Sequence, residues 1–492
     1  MALRRPKGIV GREVEWDLLR EFATSGAAGA TLGIVWGRRR TGKSLLLESL
    51  VERTGGFYYE AVRGSSAEAL RELGARLGAH QQAAAPLSLD TWDDAIGALL
   101  KLGQKHEIPI VLDEYPYLLE HTPELDSIIQ RAFGPRNRLR TSSRARLVLC
   151  GSAVTIMRQI LSGSAPLHGR AGLDLRISPF DFRVARELHG LDDLNAAVRT
   201  FAVIGGVAAY AREMVGGDLP ANIGDFDRWV CRRVLSPASP LFNEVGLLLS
   251  DDAATSKARK INLYHAALAG VASGHHSHKS LTGYVRIPGA SLSPIVDALT
   301  SAEFLERIQD PVRDNRPTYY PADPLIRFHY AVIRRHGARL ARHDANTKQI
   351  WRQIKSTFES QALGPCFEAM ARYWCQHFAD PTTLGGHPDY VGPTVVASAE
   401  SAESELDVVV AEANAEAASD RRILAIGEAK AGERISARHL RRLEVARSLL
   451  GPRARDAKLL LFAAAFTADL VAVGAQRTDV ELVDLERLYG GA

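Results

Sequence analysis

Gly37–Arg38–Arg39–Arg40–Thr41–Gly42–Lys43–Ser44 (GRRRTGKS) has the pattern of a loop that cradles phosphate, and its flanks have the order such a loop requires. Before it lies the apolar, strand-like stretch Thr31–Trp36 (TLGIVW), and after it LLLESLVERT, a helical pattern closed by Gly55. A strand that feeds a glycine loop and then a helix turns backbone N–H groups inward and adds the positive end of the helix dipole. In that arrangement residues 37–44 wrap the phosphates, Lys43 reaches the β- and γ-phosphates, and the Ser44 hydroxyl ligates Mg²⁺. ATP and Mg²⁺ are therefore the expected ligands; the plain alternative is a glycine turn with no nucleotide.

A nucleotide site needs a second group to hold the metal. Ile108–Glu114 (IPIVLDE) reads as a buried strand ending in two carboxylates. Asp113 is expected to hold Mg²⁺ through water and Glu114 to polarise the water that attacks the γ-phosphate. A third strand, Arg146–Cys150 (RLVLC), leads into Gly151, Ser152 and Ala153, which places the Ser152 hydroxyl at the γ-phosphate or the attacking water; a small-residue turn into a helix reads equally well. Further on, Gly169–Arg170 and Arg176 precede or lie in the strand-like LDLRISPF. An arginine near the γ-phosphate stabilises charge in the transition state, and Arg170 is the preferred candidate over a solvated surface role.

At 492 residues the chain is too long for one core and suggests three or four domains. Hydrophobic content of 46% with 24% charged residues is that of a water-soluble globular protein. Sixty-one basic residues against 57 acidic leave +4, a charge that permits nucleic-acid contact without pointing to it. Cys150, Cys231, Cys366 and Cys375 are scattered without metal-ligand spacing, as expected in a reducing compartment. The N-terminal MALRRPKGIVGREVEW has no apolar stretch after its basic residues, and no run is long enough to span a bilayer, so a cytoplasmic protein without membrane contact is expected. Gly274–Lys279 (GHHSHK) reads as a polar loop in preference to a metal site.

Periodicity organises the rest. Residues 181–234 are largely helical in pattern, broken at Ile204–Gly206, which suggests a small helical lid. From Asn262 to Tyr330 the helix INLYHAALAGVASG, the segment SLSPIVDALTSAEFLERI and the strand-like TYYPA have the layout of a winged helix. The expected helix from Ser293 to Arg307 carries Asp297, Glu303 and Glu306 against Arg307, which disfavours it as a reader of DNA.

In the C-terminal part Glu405–Val410 (ELDVVV) and Arg422–Lys430 (RILAIGEAK) read as strands. Residues i and i+2 share a strand face, so Glu428 and Lys430 point the same way, and pairing brings Asp407 beside them. Two carboxylates suit Mg²⁺ and the lysine suits a hydrolytic water, with Glu368 on the helical FEAMARYWCQHF as a further carboxylate. The alternative is a strand end with mixed surface charges.

These residues together resemble the archaeal-type and bacterial AAA-like P-loop ATPases whose C-terminal part is a domain of the PD-(D/E)XK nuclease superfamily. The resemblance runs over nearly the whole chain: GREVEWDLL, GRRRTGKS, VLDEYPYL, LCGSAVTIM, LHGR, IGGVAAY, ELDVVV and GEAK. It implies Walker A and B roles for Lys43, Ser44, Asp113 and Glu114, a sensor role for Ser152, and a family glycine–arginine pair at Gly169 and Arg170. It likewise implies a metal site from Asp407, Glu428, Lys430 and the helix-borne Glu368. The family's lid motif has a proline where this chain has Ala208. The implied fold is α/β: a three-layer P-loop core at 1–180, a helical lid at 181–235, a winged-helix-like domain at 236–345 and a restriction-endonuclease-like domain at 346–492.

Two readings follow. One is an ATP-hydrolysing enzyme that acts on DNA through a metal-dependent nuclease-like domain. The other is an ATP-dependent switch whose C-terminal domain only binds a partner or nucleic acid. A homo-oligomer is compatible with both.

Overall fold

The computed structural model describes residues 4–252, 260–342, 344–398, 401–413 and 415–492. Two compact units divide the chain, Met1–Pro179 with Ser250–Ser256 and Phe180–Leu249 with Lys257–Ala492.

The first unit is built on β1 (Thr31–Trp36), β2 (Phe57–Glu60), β3 (Ile108–Asp113), β4 (Ala145–Gly151) and β5 (Ala171–Arg176), in the order β2-β3-β4-β1-β5. Every neighbouring pair is parallel. Alternation along each strand sends side chains to two separate cores, as a sheet covered on both faces requires. Leu32, Ile34, Ile110, Leu112, Leu147 and Leu149 enter one core with Leu73, Leu99 and Ile129. Val35, Val111, Val148 and Cys150 enter the other with Trp16, Leu19, Leu46 and Leu50. The result is the three-layer α/β/α core that the apolar runs predict. Helix α1 (Lys43–Thr54) follows the phosphate loop and stops at Gly55, which takes the left-handed conformation. Because β1 and β3 flank β4, the residues that follow all three strands share the carboxyl edge of the sheet.

In the second unit the helix Leu194–Ile204 ends at Gly205, at the expected break. Helices α2 (Ile261–Ala272), α3 (His278–Val285) and α4 (Gly289–Ser301) then precede an antiparallel hairpin, β6 (Leu305–Ile308) and β7 (Thr318–Pro321). One expectation fails here and a second holds only in part. The helix expected to reach Arg307 stops at Ser301: Glu303 turns to φ 59°, the Phe304 amide donates to the Leu299 carbonyl, and Glu306 and Arg307 lie on β6. The GHHSHK stretch is more than a polar loop, since His276 stacks on Tyr320 with ring centroids 4.3 Å apart and His278 opens α3. Burial pushes His276 down to about 4, so the ring packs as a neutral group.

The last part of this unit has α5 (Gly364–His377), then β8 (Tyr390–Ser398), β9 (Ser401–Ala411), β10 (Ile423–Lys430), α6 (Ala437–Leu449), β11 (Lys458–Ala463) and β12 (Val480–Val483). The strands form one mixed sheet in the order β12-β11-β10-β9-β8. β8, β9 and β10 are antiparallel neighbours, while β10, β11 and β12 are parallel. The parallel step from β10 to β11 needs a crossover, which α6 supplies. Its Leu440, Leu443 and Ala446 pack on Ile426, Leu459 and Leu461. Among the described residues no helix is long and apolar enough to cross a membrane.

Candidate nucleotide site and carboxylate cluster

Local backbone constraints shape the phosphate loop. Gly37 has φ 151°, and a Cβ there would lie 2.2 Å from the Ile177 carbonyl oxygen, so only glycine fits the exit of β1. Gly42 caps α1 at φ 90°, another position that suits glycine. The Lys43 ammonium donates to the Arg38 carbonyl at 2.8 Å and so stays folded over the loop that would hold phosphate. Burial lowers its pKa, opposed by Cys150, Glu114 and Asp113. An anionic ligand would relieve that cost directly.

Asp113 is 1% exposed and collects hydrogen bonds from three elements. The Ser44 hydroxyl donates to its Oδ2 at 2.7 Å, the Tyr58 hydroxyl to the same oxygen at 2.6 Å, and the Glu114 amide to Oδ1 at 2.8 Å. Burial pushes the carboxyl up, but hydrogen bonds from Cys150, Tyr58, Ser44 and the Glu114 amide hold it below its ordinary value. Ser44 and Asp113 thus meet as hard oxygen donors beside a buried ammonium, a set that fits Mg²⁺ with a nucleotide. Glu114 adopts φ 49°, a left-handed conformation that a glutamate holds only under constraint. The Ser152 hydroxyl lies 2.8 and 2.9 Å from its two carboxylate oxygens. The structure therefore brings Lys43, Ser44, Asp113, Glu114 and Ser152 together at the carboxyl edge of the sheet.

The three loop arginines differ. Arg39 forms an ion pair with Asp251 at 2.5 Å, donates to the Tyr117 hydroxyl and reaches the Ser152 Oγ at 3.4 Å. Arg38 is buried, and Arg40 is exposed at φ 68°. Sequence reasoning missed two supporting residues. Tyr58 is one. The other is Arg12, 5% exposed, whose guanidinium donates to the Thr41 carbonyl at 3.1 Å and the Ser178 carbonyl at 2.6 Å, and pairs with Glu15 at 2.7 Å. It ties the loop to the segment after β5. The motif GREVEWDLL held the signal, but no chemistry in it named the partner.

Arg170 lies apart from this cluster. Ala171 pairs with Leu32, whereas the phosphate loop leaves β1 after Trp36. At about 3.3 Å per residue, Arg170, level with Thr31, sits roughly 20 Å from Gly37 along the strand direction, beyond the reach of its side chain. Arg176 ends β5 at the loop side and lies over the Trp36 ring, 5.7 Å from its centroid.

In the second unit the expected carboxylates meet on β9 and β10. The Lys430 ammonium lies 3.2 Å from Asp407 and 3.3 Å from Glu428, and the Ala429 amide donates to Asp407 at 2.9 Å. Arg442, on α6, adds a second cation 3.2 Å from the same Glu428 oxygen. Arg372 of α5 donates to the Asp407 carbonyl at 2.9 Å. Burial opposes it, but Asp407 and Glu428 hold the Lys430 pKa above its ordinary value. Glu368 is pushed up to about 7 by burial and then by Asp407, which places its charge in the same field. Among the described residues no group of three or more His, Cys, Asp and Glu side chains is spaced to hold a metal ion. The pair Asp407 and Glu428 offers hard oxygen donors, with Lys430 lying against both.

Residues 9–193 match the model of an ATPase domain predominantly from Archaea, which supports an ATPase-type domain in this part of the chain. The uncharacterized protein MJECL04 of Methanocaldococcus jannaschii is 25% identical over 329 residues, which is 66% of this chain and 69% of that protein. The Walker-type ATPase PABY2304 of Pyrococcus abyssi superposes with a TM-score of 0.50 at 22% identity, over 68% of this chain and 100% of its own. An Aeropyrum pernix ORC2 structure follows at a TM-score of 0.40 and 14% identity, over 68% of this chain and 97% of its own.

Proposed function

We propose that the protein binds and hydrolyses ATP with Mg²⁺, and that its C-terminal part is a PD-(D/E)XK-like domain through which it acts on nucleic acid. The observation that carries the ATPase reading is the joined set Ser44–Asp113 and Glu114–Ser152 at one sheet edge. Lys43 turns from the Arg38 carbonyl to the phosphates, and the inward-facing amides of residues 37–44 fix them. Ser44 and Asp113 would hold Mg²⁺, which would supply Lewis acidity toward the phosphate oxygens. Glu114 accepts a hydrogen bond from the attacking water, and Ser152 sets the direction of that carboxylate. Lys43→Ala should abolish tight binding of a fluorescent ATP analogue, while wild-type affinity in that variant would sink the assignment.

The C-terminal reading rests on strand order and on Asp407, Glu428 and Lys430 converging on β9 and β10. In it Asp407 and Glu428 would hold a divalent cation and Lys430 would orient water at a phosphodiester; Glu368, expected as a further ligand, shares the field of Asp407 but is not spaced to join them. Helices α2 to α4 with the β6–β7 hairpin have the element order of a winged helix, which is how we read them. Cleavage of labelled single-stranded and duplex DNA and RNA, with Mg²⁺ or Mn²⁺ and with or without ATP, tests the proposal; a substrate cut by wild type but not by Asp407→Ala supports it. The switch reading is favoured by one observation: Lys430 and Arg442 already neutralise the carboxylates. Absence of cleavage under every condition would leave that reading standing.

A further inference from the structure

The charge of the chain is nearly balanced overall, yet it is strongly uneven along α6. Arg434 precedes the helix, and Arg438, Arg441 and Arg442 follow on it; all four are exposed. At 100° per residue, Arg438, Arg441 and Arg442 fall within one arc of about 100°, opposite the buried Leu440 and Leu443. The side chains of Arg434, Arg438 and Arg441 have no ion pair or hydrogen bond among the described residues. An acid one turn away would stabilise an exposed arginine of a water-facing helix. Here the acids are placed elsewhere. Glu444 is tied to Arg477, Asp469 accepts from the Ala437 amide at the start of the helix, and Glu433 sits in the turn before Arg434. Val445, 57% exposed, lies within the same arc and offers no competing charge.

The fourth arginine joins this row to the carboxylate cluster. Arg442 reaches Glu428 at 3.2 Å, and Glu428 in turn meets Lys430. The cationic face thus runs up to the side chains that would handle a phosphodiester. We infer that the Arg438–Arg441–Arg442 face of α6, with Arg434 just before the helix, is the surface on which the phosphate backbone of a nucleic-acid strand lies, so that the strand passes the Asp407–Glu428–Lys430 cluster. The inference rests on the nucleic-acid reading of that cluster and names how the strand is held. The occupant follows from charge complementarity and from donor geometry. A guanidinium offers a planar fork of donors that matches phosphate oxygens. A rise of 1.5 Å per residue sets Arg438 and Arg442 about 6 Å apart along the axis, which suits neighbouring phosphates of one strand. Contacts of this kind position the strand and carry no base sequence. The expected partner is therefore bound without sequence preference, and α6 takes the role that the acidic residues near the hairpin make unsuitable for α4.

The test is fluorescence anisotropy of the full chain with a labelled oligonucleotide of about 20 nucleotides, single-stranded and duplex, in EDTA, from roughly 50 to 200 mM salt. Wild type should bind with log Kd linear in log salt. Arg438→Ala/Arg441→Ala should lower that slope by about two and weaken binding about tenfold near 100 mM salt. Alanine favours helix, so an unchanged far-ultraviolet melting curve is expected and excludes unfolding as the cause. An unchanged slope in the double variant would overturn the inference, as would wild-type binding to anionic lipid vesicles but to neither oligonucleotide. Asp407→Ala separates the two readings. If it binds the strand as wild type does, while the arginine variant does not, the surface stands whether or not the cluster cleaves. If cleavage is lost in Asp407→Ala and binding is the same in the arginine variant, the cluster stands and the surface fails.

Discussion

The Ser152 hydroxyl spans both oxygens of the Glu114 carboxylate, at 2.8 and 2.9 Å, and so holds the acid that follows β3 from the end of β4. One hydroxyl has a single proton, so it donates to one oxygen at a time and leaves the other able to accept from water. Ser152→Ala should therefore lower kcat by about tenfold or more with ATP affinity nearly unchanged. Glu114→Gln should bind ATP and lose turnover to a greater degree. Steady-state hydrolysis with a parallel binding titration measures both, and wild-type turnover in Glu114→Gln would reject the assigned role.

Tyr58 shares the Oδ2 of Asp113 with Ser44. Tyr58→Phe keeps the ring and removes one donor, so the carboxylate loses part of its fixed direction. The Mg²⁺ concentration for half-maximal ATPase should rise roughly tenfold, the scale seen when a ligand loses its hydrogen-bonded support. Titrating Mg²⁺ at saturating ATP decides it. An unchanged midpoint would reduce Tyr58 to packing.

Arg12 is buried and holds two carbonyls, one in the phosphate loop and one after β5. Arg12→Ala leaves both short of a donor and should cost about 2–3 kcal/mol of stability, with weaker ATP binding. Thermal melting of the apo protein checks the first part. A melting point equal to that of wild type would show that water replaces the guanidinium.

Arg170 cannot reach its own loop, yet it is exposed and has no ion pair among the described residues. Should it serve a neighbouring copy, Arg170→Ala would lower turnover at constant ATP affinity. Mixing it with Glu114→Gln should then restore part of the activity, because each variant supplies what the other lacks. Complete absence of rescue rejects action between copies.

At the C-terminal cluster Lys430 lies against both carboxylates, where a metal would have to displace it. Asp407→Ala should remove the heat of Mn²⁺ binding, whereas Lys430→Ala should keep it or tighten it while slowing any cleavage. Calorimetric titration of the full chain measures both. Equal, negligible heats in wild type and Asp407→Ala would leave a strand end with paired charges.

How far the sequence spoke depended on the range of each signal. The phosphate loop was legible because its glycines and lysine act through neighbours in the chain. Glu428 and Lys430 were legible for a similar reason, since a strand's period of two fixes their shared face, and β9 pairs as ELDVVV implies. Tyr58 was not, because β2 is only four residues long and FYYE has no alternation of its own. Arg12 reads as a solvated helix-start residue, and its partners lie 29 and 166 residues away. ALTSAEFLERI keeps a helical period through Glu303, so the left-handed turn that separates α4 from β6 was hidden. Likewise a run of histidines gives no hint that one of them will stack on Tyr320.

β2 is one of the two edge strands of its sheet, bonded to β3 alone. Margins of sheets open to solvent at lower free energy than their centres. Each such opening withdraws the Tyr58 hydroxyl from Asp113, so the quality of the metal site is tied to the closing of a four-residue edge. Thermodynamic linkage makes the tie reciprocal: whatever binds through an aligned Asp113 must also hold that edge shut. The backbone amides of Phe57–Glu60 then exchange hydrogen more slowly with nucleotide and metal bound than without, and they report occupancy of the site from its rim.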